Sequence, residues 1–255
     1  MSCAIIIPAR YQSSRFPAKV LAPLAGRPMI QHVWDRAMSV PDVQHVLVAT
    51  DDDRVADAVR RFGGQVMMTS RACQSGTDRV AEAAAIVGDE IVVNLQGDLP
   101  LLPPALIAAA RQPLLDDPTV VMSTLMRPIT KPEELYSPHT VKVVTDRTGG
   151  ALYFSRAPIP LIRDAKQGSA FQPRTFFHHL GLYVYRSDFL VEFAKLPPGR
   201  LEQLEQLEQL RALEHGYRIK VVEVAEGTVE VNTPEDMALA ETEWQQRYGN
   251  QGRRA

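Results

Sequence analysis

Ala4-Ile5-Ile6-Ile7-Pro8-Ala9-Arg10-Tyr11-Gln12-Ser13-Ser14-Arg15-Phe16-Pro17-Ala18-Lys19-Val20-Leu21 is the stretch from which the fold can be read. Three consecutive isoleucines closed by Pro8 have the pattern of a strand buried on both faces, which belongs to the middle of a parallel sheet and not to a half-exposed edge. The segment after Pro8 has neither helical nor alternating period until about Met29, and a loop of that length inside a compact domain is usually functional. It carries Arg10, Arg15 and Lys19 and no acid among them. In an open parallel sheet ligands bind beyond the carboxyl ends of the strands, so these cations stand where an anion would be held. A solvated basic loop is the plainer alternative. The functional reading is preferred because Pro8 and Pro17 stiffen the segment and Ser13 and Ser14 add short donors beside the charges.

Working outward, residues 29–38 have apolar positions at helical spacing and 46–49 form a second buried strand ending at Thr50-Asp51. Residues 52–62 are helical and are closed by Gly63-Gly64, and 65–68 make a short strand. Thr77 or Asp78 is expected to cap a helix running through Ile86. Ile91-Val92-Val93-Asn94-Leu95 is a fourth buried strand, leading directly into Gln96-Gly97-Asp98, and Pro103 opens a helix to about Leu115. This alternation predicts parallel pairing with right-handed crossovers, hence an α/β fold with a doubly wound, mostly parallel sheet.

The pattern changes after Val120. Short strand-like pieces at 120–125, 140–145 and 151–154, with the turn Asp146-Arg147-Thr148-Gly149-Gly150, predict a smaller antiparallel subdomain over about 120–185. Residues 164–174 read as a mobile polar loop, 180–185 as a strand, and Ser187 as the cap of a short helix. Leu201-Glu202-Gln203-Leu204-Glu205-Gln206-Leu207-Glu208-Gln209-Leu210 is a tripeptide repeat, read as one core-packed helix and not a zipper, because helical residues three apart are rotated by roughly 60°. A late strand at 218–224 and a helix over 234–248 complete a single domain of residues 1–248, with 249–255 a frayed tail.

Composition bounds the function. The 255 residues are 45% apolar, enough for a large core, and the formal charge of −2 argues against a nucleic-acid or membrane-surface binder. Any anion site must be local. Cys3 and Cys73 make neither a disulfide framework nor a zinc spacing, which fits a reducing cytoplasm. The first apolar run is too short for a signal peptide, and no stretch reaches the length of a membrane span.

Neither a Gly-x-x-x-x-Gly-Lys-Ser/Thr loop nor a Gly-x-Gly-x-x-Gly fingerprint is present, which leaves the basic loop as the phosphate holder. Asp98, at the carboxyl end of a buried strand, suits magnesium, which takes one or two carboxylates plus substrate phosphates; a turn aspartate before Pro100 is an equally good reading of the spacing. Arg156, amid apolar neighbours, calls for an anion. Taken alone, His179 reads as a satisfied structural histidine and Glu208 as part of a solvated face.

The series Pro8-Ala9-Arg10-x-x-Ser13-x-Arg15-x-Pro17-x-Lys19, Gly26-x-Pro28-Met29-Ile30-x-His32-Val33, Val48-Ala49-Thr50-Asp51, Gln74-Ser75-Gly76-Thr77-Asp78-Arg79, Val93-Asn94-Leu95-Gln96-Gly97-Asp98, Ala151-Leu152-Tyr153-Phe154-Ser155-Arg156, His179-Leu180-Gly181-Leu182-Tyr183 and Leu207-Glu208-Gln209-Leu210-Arg211 resembles the 3-deoxy-manno-octulosonate cytidylyltransferase (CMP-Kdo synthetase) family. The resemblance runs from Ile5 to about Asp236. Sialic-acid cytidylyltransferases share the nucleotidyltransferase-like fold and the basic loop but are not expected to carry the last three motifs.

The resemblance implies a magnesium-dependent reaction in which the anomeric hydroxyl of an eight-carbon ulosonic acid attacks the α-phosphate of CTP and pyrophosphate leaves, in the supply of lipopolysaccharide. It assigns Ala9, Arg10, Ser13, Arg15 and Lys19 to the triphosphate, with Lys19, Arg10 and Asp98 catalytic. Gln74, Ser75, Gly76 and Thr77 hold the nucleotide. Gln96, Arg156, His179, Tyr183, Glu208 and Gln209 hold the sugar acid, and Asp98 with position 232 the metal. It also implies a cytoplasmic homodimer joined through about 120–185.

Three positions depart from the family pattern: Ala18 stands for its usual glycine, Leu99 for an acid, and Asn232 for a second metal aspartate. The last two bear on metal affinity. The rival readings are an enzyme for the 8-amino sugar or another ulosonic acid, a nucleotide-binding paralogue with impaired turnover, and a generic sugar-phosphate nucleotidyltransferase.

Overall fold

The structure is a computed structural model and describes residues 1–12, 16–163, 171 and 174–249. Ser13 and Arg15 of the basic loop, most of the polar segment at 164–174, and the tail beyond Gly249 lie outside the described residues. The chain gathers into two compact units, Met1–Ala108 with Thr228–Ala255, and Ala109–Gly227.

In the first unit β1 (Cys3–Pro8) is followed by a one-turn 3-10 helix at Lys19–Leu21, a small hairpin of β2 (Pro23–Leu24) and β3 (Arg27–Pro28), and α1 (Met29–Met38). Then come β4 (His45–Thr50), α2 (Asp53–Arg61), β5 (Val66–Met68), α3 (Gly76–Val87), β6 (Ile91–Asn94) and α4 (Pro104–Asp116), within which the two units divide. β1 is buried at every position and pairs in parallel with β4, Ile5 opposite Val46, and with β6, Ile5 opposite Val93. β5 extends the ladder beyond β4, so the isoleucine strand is interior, as its unbroken apolar run predicts. Each fully buried isoleucine there contributes about 1.5–3 kcal/mol by area removed from water.

The cap of α3 differs from expectation. Ser75, not Thr77 or Asp78, is the N-cap: its Oγ accepts from Asp78 N at 3.0 Å while the Asp78 carboxylate accepts from Ser75 N at 2.9 Å. This reciprocal capping box satisfies two helix-end donors at once, which a cap further in cannot do.

The second unit holds β7 (Met122–Pro128), α5 (Pro132–Tyr136), β8 (Lys142–Thr145), β9 (Ala151–Ser155), β10 (Phe177–Arg186), α6 (Ser187–Phe193), α7 (Arg200–Glu205), α8 (Leu210–Glu214) and β11 (Ile219–Glu223). β10 pairs antiparallel with β7 and β8, β8 antiparallel with β9, and β11 parallel with β7. The expected change to antiparallel pairing is therefore found, and β10 starts three residues before the predicted strand. The leucine repeat is not one core-packed helix. It breaks at Gln206, which is left-handed at φ 52° and ψ 49°, and α7 buries none of its residues, Leu204 being 68% exposed. Leucines spread 60° apart offer no single face to bury, and the carbonyls freed at the break accept from Arg156. α9 (Pro234–Tyr248) ends the described chain, capped by Thr233. Among the described residues no helix is long and apolar enough to cross a membrane.

Candidate active site

The first unit gathers cations at the carboxyl ends of its parallel strands. A cavity of about 550 Å³ is lined by Arg10, Tyr11, Asp51, Asp52, Arg54, Arg71 and Arg79, among others. The acids are taken: Asp51 pairs with Arg79 at 3.0 Å, and Asp52 with Arg54 at 2.6 Å, whose guanidinium also covers the Tyr11 ring. Four arginines against two aspartates leave a surplus of two positive charges. Arg10 gives Nη2 to the Cys73 carbonyl at 3.1 Å, and its buried Nε meets no hydrogen-bond partner among the described residues. An excess of positive charge confined to one cavity is what a local anion site requires. Arg54 and Arg71 were not singled out from the sequence, and Arg79 only as part of a motif; a helix arginine that is 1% exposed needs the acid it finds in Asp51.

Gln74, Ser75, Gly76 and Thr77 form the entry to α3 in this unit. Gln74 Nε2 donates to the Ala72 carbonyl at 2.9 Å, and buried Thr77 Oγ1 accepts from Asn94 Nδ2 at 3.3 Å. Asn94 in turn accepts from Gln96 Nε2 at 2.7 Å. A Cβ on Gly76 would lie 3.5 Å from both Gln96 Oε1 and a Pro8 ring carbon, and one on Gly97 would lie 3.2 Å from the Pro8 carbonyl. Both glycines thus bring these segments close to the end of β1, and Gln96 lies beside Gly76.

Lys19, Asp98 and Asn232 meet although they are far apart in sequence. Lys19 Nζ donates to Asp98 Oδ2 at 3.0 Å and to Asn232 Oδ1 at 3.3 Å. Val231 N donates to the Asp98 carbonyl at 2.9 Å, which ties the two segments, and Asn232 Nδ2 donates to Glu230 Oε1 at 2.7 Å. With the amide nitrogen held by Glu230, the amide oxygen is left to Lys19. A carboxylate oxygen and an amide oxygen converging on one ammonium are a cation site in outline, so the donor set fits a magnesium ion completed by substrate oxygens and water. Among the described residues no group of three or more His, Cys, Asp and Glu could hold a metal unaided. Leu99, at the family's acid position, is buried in the core, and Ala18, at its glycine position, is left-handed at φ 57°.

In the second unit Arg156, His179, Tyr183, Glu208 and Gln209 have a different character. Arg156 follows β9, and its guanidinium donates to three main-chain carbonyls: Nε to Glu205 at 2.7 Å, Nη1 to Pro138 at 2.9 Å and Nη2 to Gln206 at 3.2 Å. The anion that its setting called for is thus not supplied on the guanidinium by a protein carboxylate in these bonds, which use three of its five N–H groups. Glu205 takes the Arg156 main-chain N at 2.9 Å and Ser155 Oγ at 2.6 Å. His179 is buried on β10, bonded through Nε2 to Thr124 Oγ1 at 2.9 Å, with its ring edge-on to Phe154 and tilted against Tyr183. Burial, with a smaller push from His178, lowers its pKa to about 3, so it is a neutral imidazole. Gln209 is 3% exposed, and its Nε2 meets no hydrogen-bond partner among the described residues. Such an orphan donor is costly unless a ligand takes it.

These features define a class, that of the nucleotidyltransferases, and the model of the Cytidylyltransferase family matches residues 4–220. Among similar proteins, the 3-deoxy-manno-octulosonate cytidylyltransferase of Geobacter sulfurreducens is 54% identical, over 93% of this chain and 97% of that one. The protein of the same name from Syntrophotalea carbinolica is 52% identical, over 94% and 98%. A solved structure, CMP:2-keto-3-deoxy-manno-octonic acid synthetase complexed with CTP, superposes with a TM-score of 0.91 at 42% identity, covering 97% of this chain and 100% of that one. At 13% identity and a TM-score of 0.61, the 4-diphosphocytidyl-2C-methyl-D-erythritol synthase of Anaerococcus prevotii shares the fold. The chain belongs to the 3-deoxy-manno-octulosonate cytidylyltransferase family. The family and the α/β fold expected from the sequence are those found.

Proposed function

We propose that the protein joins CMP from CTP to 3-deoxy-D-manno-octulosonate, releasing pyrophosphate, with magnesium as cofactor, and so activates the sugar for lipopolysaccharide. The observation that carries the reading is the meeting of Lys19, Asp98 and Asn232 in the unit that holds the arginine-lined cavity. In the reaction the anomeric oxygen forms a bond to the α-phosphorus, the bond to the pyrophosphate oxygen breaks, and the hydroxyl proton is lost to solvent. Such a transfer asks the protein for positioning and for neutralisation of charge on the phosphoryl oxygens.

Arg10 has spare donors for the triphosphate, and Lys19 is the cation suited to the transferring phosphorus once a substrate draws it from Asp98. Asp98 and Asn232 would hold magnesium, which supplies further charge neutralisation at the phosphate oxygens. Residues 74–77 hold the nucleotide through backbone and short polar groups. Arg156 has N–H groups to spare for the ulosonic carboxylate, and Gln209 has an orphan amide for a hydroxyl.

A homodimer and a cytoplasmic setting belong to the same reading. Tyr136, Leu152 and Leu161, all exposed between about 120 and 185, support the first, and two cysteines that are in no disulfide support the second. A monomer by light scattering at micromolar concentration would remove the dimer. The activity is tested by pyrophosphate release from CTP, with and without magnesium, over a panel of Kdo, 8-amino-Kdo, a sialic acid and a sugar phosphate. Release with Kdo is expected, and its absence in a folded sample sinks the proposal.

A further inference from the structure

Lys142 is the first residue of β8, lies directly opposite Ser155 of β9, and is 0% exposed. An ammonium has three N–H donors, and here each has a carbonyl: Nζ donates to Ser137 at 3.0 Å, to Thr140 at 2.7 Å and to the carbonyl of Arg156. Its donors are spent on backbone, so it has none left for a substrate. The backbone it holds is that of the sugar side: segment 137–140 carries the Pro138 carbonyl that takes Arg156 Nη1, and the third carbonyl is that of Arg156 itself.

A neutral side chain could staple two segments without the desolvation cost of a buried charge, since buried ions are often replaceable by apolar residues at no loss. The charge therefore asks for a reason. The charged groups acting on Lys142 are Glu205 and Arg156, and Glu205 also accepts from the Arg156 main chain and Ser155. Burial lowers the lysine pKa, Glu205 opposes this, and the neighbouring Arg156 charge lowers it further. Two cations against one carboxylate leave this cluster one positive charge in excess, which a bound carboxylate would neutralise.

We propose that Lys142 is a positioning residue for the sugar acid: it clamps segment 137–140 to the main chain of Arg156, fixing the guanidinium for the carboxylate and adding to the charge that draws it. The proposal rests on the reading of Arg156 as the carboxylate's partner. An arginine could not replace the lysine, because a planar fork does not match three carbonyls set around a point.

The test is a double-mutant cycle in the full-length protein, read as KM for Kdo and for CTP by pyrophosphate release below the melting temperatures of all variants. Arg156→Ala is expected to raise the KM for Kdo about tenfold or more, as loss of a charge-assisted bond implies. Lys142→Met is expected to raise it about fivefold, from the loss of about 1 kcal/mol of positioning, with the KM for CTP within twofold. In the Arg156→Ala background Lys142→Met should raise the KM for Kdo by less than about twofold, since only its charge, and not its clamp on Arg156, is left to lose. If Lys142→Met does not fold, Lys142→Gln, which keeps two N–H groups for the three carbonyls, takes its place in the cycle. An unchanged KM for Kdo in the lysine variant, beside a raised one in Arg156→Ala, overturns the inference and leaves the Arg156 reading standing. So does a rise shared equally by both substrates, or one that adds fully to that of Arg156→Ala. No effect of Arg156→Ala on the KM for Kdo overturns the reading and the inference with it.

Discussion

The two regions that carry candidate residues are built on opposite plans. In the first unit the key side chains are bonded to one another: Lys19 holds Asp98 and Asn232, and Arg54 and Arg79 hold Asp52 and Asp51. Those partners are side chains that a triphosphate and a metal can exchange. In the second unit Arg156 and Lys142 are bonded to main-chain carbonyls, and His179 is sealed among Thr124, Phe154 and Tyr183. Main-chain carbonyls of loops and of a helix end do not leave as a side chain can. On the proposed function, the difference teaches that a nucleotide bound at the first region would have to rearrange its ion pairs, whereas the second region is organised before a sugar acid arrives and would lose little on ordering it.

The strongest way to break that comparison is Lys19→Ala. If Lys19 exchanges Asp98 for charge that grows at the phosphorus, its loss should cut turnover by about 10²–10³, with a smaller effect on the KM for CTP, because only differential binding of the transition state accelerates chemistry. Steady-state rates at saturating CTP and Kdo measure this. Unchanged turnover would make Lys19 only a structural partner of Asp98 and Asn232 and leave the first region without its exchange.

On the other side stands Arg156→Ala. A charge-assisted hydrogen bond contributes about 1.5–3 kcal/mol, so the KM for Kdo should rise roughly tenfold or more while that for CTP hardly moves. Equal effects on the two substrates, with a lowered melting temperature, would mean that the substitution has loosened the second unit as a whole.

The same contrast explains what could be read from the chain. Arg10 and Lys19 stood out because a loop with three cations and no acid follows a buried strand, whereas for Asp98 the spacing left a turn aspartate as good a reading and only the family resemblance chose between them. The surplus of arginine was not legible, since Arg54 and Arg71 look like solvated positions until the cavity brings them together. His179, Glu208 and Gln209 carried no signal apart from the family resemblance: a buried, hydrogen-bonded histidine is what a core contains. The Leu-Glu-Gln repeat misled because helical propensity is high throughout it, while the left-handed Gln206 that ends α7 exposes the carbonyls Arg156 needs. Lys142 gave no sign at all, its carbonyl cage being made by a loop and a strand end that periodicity does not register.

The buried histidines offer a sharper test of the second region. His179 is held at a pKa of about 3 and His178 at about 4, both chiefly by burial, against an ordinary value of 6.5. The unfolded chain takes up protons at these residues as pH falls below 6.5, and the native protein does not. Their contribution to stability is complete above that pH and is lost as pH drops toward the native values, by up to about 1.4 kcal/mol per pH unit for each histidine. His179→Gln keeps a donor for Thr124 and removes the titration, so its urea midpoint should fall less than that of the unaltered protein between pH 6.5 and 5. Parallel acid limbs would mean that His179 is not sealed.

A smaller effect is expected at Ala18, just before Lys19, where φ is 57° and the main chain bonds Tyr11 and Leu21. An L-residue in the left-handed region costs about 1–2 kcal/mol, part of which glycine returns as unfolded-state entropy. Ala18→Gly should therefore stabilise the protein by at most about 1 kcal/mol, seen as a raised thermal midpoint, with turnover kept. A lowered midpoint would show that the loop is not strained there.

The smallest expected effect bears most directly on how far the first region depends on exchange. Asn232 offers a neutral oxygen beside Asp98, and a carboxylate attracts a divalent ion more strongly than a carbonyl does. Asn232→Asp should thus lower the half-saturating magnesium concentration. The gain is limited by Glu230, which now accepts from Asn232 Nδ2 and would instead face a second carboxylate, so the shift should be only about two- to threefold. Glu230→Gln restores a donor to that contact, and the double variant should shift the midpoint further than Asn232→Asp alone, whereas Asp98→Asn should nearly abolish activity. Magnesium titrations at saturating CTP and Kdo compare the four proteins. Unmoved midpoints in both variants carrying the new aspartate, with full activity, would mean that position 232 serves only to hold Lys19, and that the ion leans on Asp98 and the substrates alone.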